Sequence, residues 1–133
     1  MRILLDTNIF LEVLLDQDRA AEARHLLSKS DEHELYISDF SLHSIGLILF
    51  RQQEHDAFRR FLVDMFLKAG VVVVALLPRE MEAVIRAAQQ FGLDFDDAYQ
   101  YAIAEDYGLT IISLDADFDR TDAGRRTPDA VRP

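Results

Sequence analysis

Seven aspartates fall in three short stretches of this sequence, at spacings that would let them share one site. Asp6 directly follows the apolar run Ile3-Leu4-Leu5. Asp94, Asp96 and Asp97 stand at the start of a helical pattern. Asp115, Asp117 and Asp119 come just after the apolar run Leu109-Thr110-Ile111-Ile112. Carboxylates brought together repel and raise one another's pKa. A hard divalent cation removes the conflict, because Mg²⁺ takes oxygen ligands, keeps several waters and is often held by only a few carboxylates. Such a cation activates water and stabilises the charge on a phosphodiester in its transition state. Each acid also has a plainer role when taken singly. Asp6 and Asp94 suit helix N-caps. Asp96 suits a first helical turn, and Asp117 and Asp119 suit turns. The joint placement of Asp6, Asp97 and Asp115 is what points to a site.

The elements that must position these acids can be read from the apolar pattern. Ile3 to Leu5, Val71 to Val74 and Leu109 to Ile112 read as buried strands, with a weaker one at Leu35 to Ile37. Short continuous apolar runs suit parallel strands covered on both faces. Helical patterns lie between them, at 9–15, 20–27, 40–50, 57–68, 78–91 and 95–107. Ser38 or Asp39 suits the cap of the third, and Pro78 suits the first turn of the fifth. Gly92 and Gly108 suit the ends of the last two. Strands alternating with helices predict an α/β domain with a mainly parallel sheet of four to five strands. Ligands bind such sheets at the carboxyl ends of the strands, near a topological switch. Asp6 and Asp115 lie where that rule points.

Composition narrows the functional classes. The chain has 133 residues, one domain's worth, so a single domain over 1–133 is expected, its polar tail from about 120 partly mobile. Fourteen Lys+Arg face 24 Asp+Glu, a net charge of −10, which argues against nucleic-acid binding through a broad cationic face. There is no cysteine, hence no disulfide, thiol chemistry or cysteine metal site. The opening MRILLDTNIF lacks the pattern of a signal peptide. No apolar run approaches a membrane span. A cytoplasmic protein with no membrane association is expected.

Three short motifs, in order, resemble those of the PIN domain family, the nuclease fold of many VapC-type toxins. Ile3-Leu4-Leu5-Asp6-Thr7-Asn8-Ile9-Phe10 resembles the opening strand followed by Asp-Thr-Asn or Asp-Thr-Ser. Asp97-Ala98, with Ala102 and Ala104 beyond, resembles the central acid and its helix. Ser113-Leu114-Asp115-Ala116-Asp117-Phe118 resembles the late Thr-x-Asp motif followed by Phe. The resemblance covers nearly the whole chain and implies a three-layer α/β fold. It also has one departure. The family's Glu on the helix after the second strand falls at Ser44, and neither Asp39 nor His43 sits at the matching position.

The resemblance implies a metal-dependent endoribonuclease, the toxin of a type II toxin–antitoxin pair. Asp6, Asp97 and Asp115 would be its catalytic acids. With Asp117 as an outer ligand they would hold Mg²⁺ or Mn²⁺. Thr7, Asn8, Ser44 and Ser113 would orient ligands or substrate by hydrogen bonds. RNA is the implied substrate. Arg120, Arg125, Arg126 and Arg132 are the better basic set to meet it, with Arg51, Arg59 and Arg60 as a second. Tyr101, one turn beyond Asp97, is placed to stack on a base. A small antitoxin protein and a homodimer are the implied partners.

The alternative reading, favoured by Ser44, is a catalytically weak or inactive PIN-like domain that binds RNA or protein. Two other α/β readings fare worse. A haloacid-dehalogenase-like phosphatase needs a second Asp two residues after Asp6, where Asn8 stands. A receiver domain needs a Lys late in the chain, but the last one is Lys68. No Gly-rich phosphate loop or Ser-His-Asp motif is present.

Overall fold

The computed structural model describes residues 1–131. Four parallel strands form one sheet in the order β3-β2-β1-β4. They are β1 (Arg2–Leu5), β2 (Glu34–Ser38), β3 (Val72–Val74) and β4 (Thr110–Ile112). Six α-helices connect and cover them: α1 (Thr7–Leu14), α2 (Ala20–Leu27), α3 (Asp39–Arg51), α4 (His55–Leu62), α5 (Met81–Phe91) and α6 (Phe95–Tyr107). Alternate residues of a strand face opposite sides. Ile3 and Leu5 accordingly join one core cluster with Ile9, Phe10, Ile37, Ile45 and Leu49. Leu4 joins the other with Val84, Ala98, Ile103, Ile111 and Phe118. The result is a three-layer α/β fold with α1 to α4 on one face of the sheet and α5 and α6 on the other.

The chain steps outward from β1 to β2 to β3 and then returns to the far side of β1 as β4. The switch point therefore lies between the carboxyl ends of β1 and β4. Asp6 follows the first of these strands and Ser113 the second.

The helix ends follow the local chemistry. Asp6 caps α1, accepting from the Thr7 N–H; Ser38 caps α3 and Asp94 caps α6, each accepting from the N–H three residues on. The helical pattern at 57–68 is divided. α4 starts at His55, and Val63–Lys68 continues as a wider π-helix. That turn brings Phe66 edge-on to Phe61, 5.9 Å between ring centres. The pattern at 78–91 starts as a 3₁₀ turn at Pro78–Glu80 before α5.

Gly108 ends α6 in the left-handed region, at φ 66°. A Cβ there would meet Arg2 Nη1 at an ordinary 3.7 Å, so the strain of a substitution lies in the backbone. Gly108→Ala is expected to cost ~1 kcal/mol and lower the melting temperature by ~3–5 °C, measured by thermal unfolding.

The segment after Arg120, expected to be partly mobile, is docked as far as it is described. Arg126 bridges Ile112 in parallel, donating its N–H to Ile111 O and accepting from Ser113 N. Pro128 is buried and Val131 packs against the first core cluster. Among the described residues no helix is long and apolar enough to cross a membrane.

Candidate metal-dependent active site

A cleft of about 300 Å³ opens at the switch point. Asp6, Asn8, Ser44, Asp97, Gln100 and Asp115 are among the residues that line it. Three different elements deliver its acids. Asp6 comes from the end of β1, Asp97 from the first turn of α6, and Asp115 from the turn after β4.

Asp6 is the hydrogen-bond hub at the base of the cleft. It is 8% exposed. Its Oδ1 accepts from the Thr7 N–H at 2.8 Å and from Gln100 Nε2 at 3.2 Å. Its Oδ2 accepts from Ser113 Oγ at 2.6 Å and from Asn8 Nδ2 at 3.3 Å. Those four donors fill the acceptor capacity of a carboxylate. Burial raises its pKa, and the donors from Ser113, Gln100 and Thr7 oppose the rise.

The neighbours of Asp6 hold the late motif in place. Asn8 also donates to Ser113 Oγ and accepts from the Leu114 N–H through its Oδ1. Ser113 Oγ in turn accepts from the Asp115 N–H at 2.9 Å. The Asp115 carboxylate caps a 3₁₀ turn at Ala116–Arg120 through the Asp117 N–H. Phe118, fully buried in the second core cluster, anchors that turn. Asp115 and Asp117 are thereby kept at the mouth of the cleft. Thr7 donates to Ser41 Oγ at 2.8 Å, which ties α1 to α3.

Asp97 stands in a different environment. It is 7% exposed. Burial, followed by the charges of Asp115, Asp94, Asp6 and Asp117, pushes its pKa up to about 8. A helix first turn would ordinarily favour the charged form. Here desolvation and like charge outweigh that preference.

One ligand oxygen each from Asp97, Asp115 and Asp117 fall within 4.8 Å of one another. Asp6 lines the same cleft, and its charge acts on Asp97. Asp119 lies outside it, paired with Arg125 at 3.2 Å. The cleft thus offers carboxylate, hydroxyl and amide oxygens, and its trio contains no histidine. That donor set fits Mg²⁺ or Mn²⁺ better than a metal that prefers nitrogen or sulfur.

The basic and aromatic candidates are mostly placed elsewhere. Among the described candidates only Arg120 is seen beside the trio, reaching Asp117 at 3.3 Å and donating to the Gly92 carbonyl. Arg125 is committed to Asp119 and to the Ser113 carbonyl, and so holds the loop. Arg126 extends to Met1 Sδ, at the amino end of β1 and away from Asp6. Its backbone pairing with β4 fixes that direction. Arg132 lies outside the described residues. In the second set, Arg59 pairs with Asp56 on its own helix. Tyr101 packs edge-on against Phe91 of α5, 5.2 Å between centres, and lines a separate depression with Ala83, Arg86 and Gln90. The α5–α6 packing claims its ring, so it does not enter the cleft.

Two buried polar residues that the motifs did not indicate belong to this network. Gln100 is 2% exposed and donates to both Asp6 Oδ1 and Ser41 Oγ. Ser41 is fully buried, and its Oγ lies within hydrogen-bond distance of Ser38 Oγ, Thr7 Oγ1 and Gln100 Nε2. Their signal in the sequence is positional. Gln100 is one turn on from Asp97, and Ser41 is three residues after the capping Ser38.

The PIN domain family model matches residues 3–124. The chain belongs to the PIN domain family. No curated protein matches it in sequence. Solved structures with the same fold include Mycobacterium tuberculosis VapC20, a sarcin-ricin loop cleaving toxin. It is 20% identical with a TM-score of 0.74, and the match covers 98% of this chain and 99% of that one. A toxin–antitoxin complex from Klebsiella pneumoniae is 22% identical with a TM-score of 0.72, over 95% and 97% of the two chains. VapBC2 from Rickettsia felis, bound to a DNA fragment from its promoter, is 15% identical with a TM-score of 0.70, again over 95% and 97%. These likenesses extend over nearly the whole chain, so the fold is a shared one.

Proposed function

We propose that this PIN domain is a metal-dependent endoribonuclease and the toxin of a toxin–antitoxin pair. The observation that carries the reading is the meeting of Asp97, Asp115 and Asp117 at the switch point, with Asp97 pushed up to about 8. Acids arranged at such a cost to their ionisation suit a cation that offsets their repulsion. Asp97 and Asp115 would hold Mg²⁺ or Mn²⁺, with Asp117 at the rim. When bound, the cation supplies charge neutralisation at the scissile phosphate and activation of water.

The chain's own residues do the rest. Asp6, expected as a further ligand, has its acceptor sites taken by four donors, so in this reading it adds negative charge and orients Ser113 and Gln100 through its hydrogen bonds. Ser113 and Asn8 fix the loop that carries Asp115. Arg120 is the basic residue placed to meet a backbone phosphate beside the cleft. Hydrolysis then needs no covalent intermediate: water adds at phosphorus and the bridging P–O bond breaks. A small antitoxin is part of the reading because structures with this fold include toxin–antitoxin complexes. A homodimer is the expected assembly. The side chains of Leu47 and Phe50 stand exposed on α3 and are available to either partner.

Purified protein should cut tRNA or total RNA in Mg²⁺ or Mn²⁺ and stop in EDTA. A folded protein that leaves every RNA intact in both metals would defeat the reading. Ser44 supports a second reading, a PIN domain that binds RNA without cutting it. Retention of RNA in a gel-shift assay with no cleavage would be its signature.

Metal binding should also depend on pH. The folded state holds a proton on Asp97 up to about pH 8, whereas the unfolded chain releases it near the ordinary value of 3.8. Between those values the folded state binds more protons, so the metal-free protein loses stability as pH rises. The cation must displace that proton. Its stabilisation of the fold is therefore expected to be greater at about pH 8 than at about pH 6, read as the Mn²⁺-induced shift in melting temperature. Equal shifts at the two values would contradict the assignment of Asp97 as a ligand.

A further inference from the structure

Gln100 presents a buried oxygen that the hydrogen bonds of the cleft leave over. Its Nε2 donates to Asp6 Oδ1 at 3.2 Å and to Ser41 Oγ at 3.1 Å. Both contacts turn the amide nitrogen toward Asp6 and Ser41. Gln100 Oε1 is then the opposite atom, and it is buried with no hydrogen-bond partner among the described residues. Buried acceptors are nearly always satisfied, and an exception calls for a missing water or ion. Gln100 lines the cleft together with Ser44, Asp6, Asp97 and Asp115. It lies three residues after Asp97, on the same side of α6.

Two departures from plain expectation therefore meet in one cleft. An acid is missing at Ser44, and Gln100, which lines the same cleft, holds an amide oxygen without a partner. Amide oxygens are ordinary ligands for hard divalent cations. We propose that Gln100 Oε1 is an oxygen donor to the divalent cation, serving in place of the acid absent at Ser44. A neutral donor leaves the cleft one negative charge poorer than a carboxylate would. That suits a site where Asp97 already lies among four other acids. The proposal rests on the metal-dependent reading above. It goes further in giving the cation a ligand that none of the three motifs contains.

Isothermal titration of Mn²⁺ into the full-length protein and its variants tests it, with a thermal melt confirming that each variant is folded. Gln100→Leu is expected to weaken Mn²⁺ binding by ~10–100-fold, the range seen when a supporting group of a metal site is lost. Adding Ser44→Glu to Gln100→Leu should restore the affinity, since it returns an oxygen to the same cleft. Ser44→Glu alone is expected to add much less affinity than it restores in Gln100→Leu, and equal gains in the two backgrounds would mean that Gln100 only braces Asp6 and Ser41. If Gln100→Leu does not fold, Gln100→Asn withdraws the amide by one methylene and takes its place, with the same expected loss and rescue.

The outcomes separate the two claims. Wild-type protein that binds no Mn²⁺ overturns the metal-dependent reading and this proposal with it. Wild-type binding that Asp97→Asn abolishes but Gln100→Leu leaves unchanged overturns this proposal alone. So does a loss in Gln100→Leu that Ser44→Glu fails to restore.

Discussion

Asp97→Asn is expected to reduce metal-dependent RNA cleavage by ~10³-fold or more, and at the same time to raise the melting temperature of the metal-free protein at about pH 8. The two effects share a cause. The Asp97 carboxylate is nearly buried, and the largest influences on it are desolvation and the charges of Asp115, Asp94, Asp6 and Asp117. Each of these opposes ionisation. Asn keeps the shape and removes the charge, so the apoprotein is relieved of a strain that only a cation would otherwise offset. The cleavage loss corresponds to ~4 kcal/mol of transition-state stabilisation. Initial rates in Mn²⁺ and a melt in EDTA measure the two effects. A variant that loses activity and stability together would indicate a structural role for Asp97.

Asp6→Ala is expected to have the opposite effect on the fold, lowering stability by ~2–3 kcal/mol. Asp6 and Asp97 share a cleft and are almost equally buried, yet their surroundings differ. Asp6 accepts four hydrogen bonds, and two of the donors, Gln100 Nε2 and Ser113 Oγ, belong to fully or almost fully buried side chains. Truncation leaves the Ser113 hydroxyl and one of the two Gln100 N–H groups without a partner, the other still reaching Ser41, at ~1–3 kcal/mol apiece and without strict additivity. Relief of repulsion with Asp115 offsets part of the cost. Burial of the charge is the largest influence on the Asp6 pKa, so its relief offsets a further part and holds the net loss to ~2–3 kcal/mol. Urea unfolding of the metal-free protein measures the change, and a neutral or stabilising result would contradict the role of Asp6 as a hub.

How far the sequence revealed the site depended on whether local or tertiary forces placed each residue. Ile3 to Leu5 and Leu109 to Ile112 are continuous apolar runs because β1 and β4 are covered on both faces, and so they could be read directly. The caps at Asp6 and Asp94 are local chemistry, legible from the residue type before a helical pattern. The position of the cleft followed from the strand order. Tyr101 was misjudged because a one-turn spacing from Asp97 does not decide which neighbour claims the ring. Phe91 of α5 does so. Arg125 and Arg126 form a basic cluster in sequence but diverge in space, one toward Asp119 and the other toward Met1. The backbone pairing of Arg126 with β4 that separates them had no marker in the composition. Gln100 and Ser41 went unnoticed because neither is acidic. Their importance lies in the partners they meet from other elements.

The same contrast bears on the departure at Ser44. The motifs alone make it a missing ligand. In the folded chain Ser44 lines the same cleft as Gln100, a buried amide whose nitrogen donates to Asp6. The acids, the amide and the hydroxyls converge only because β1 and β4 end side by side at the switch point.

The most direct test of the metal-dependent account is a crystal soaked in Mn²⁺, examined for anomalous scattering. The account predicts one strong peak in the switch-point cleft, with carboxylate oxygens of Asp97 and Asp115 as ligands. A cleft without a peak, in a crystal where Mn²⁺ has bound elsewhere on the surface, would contradict it.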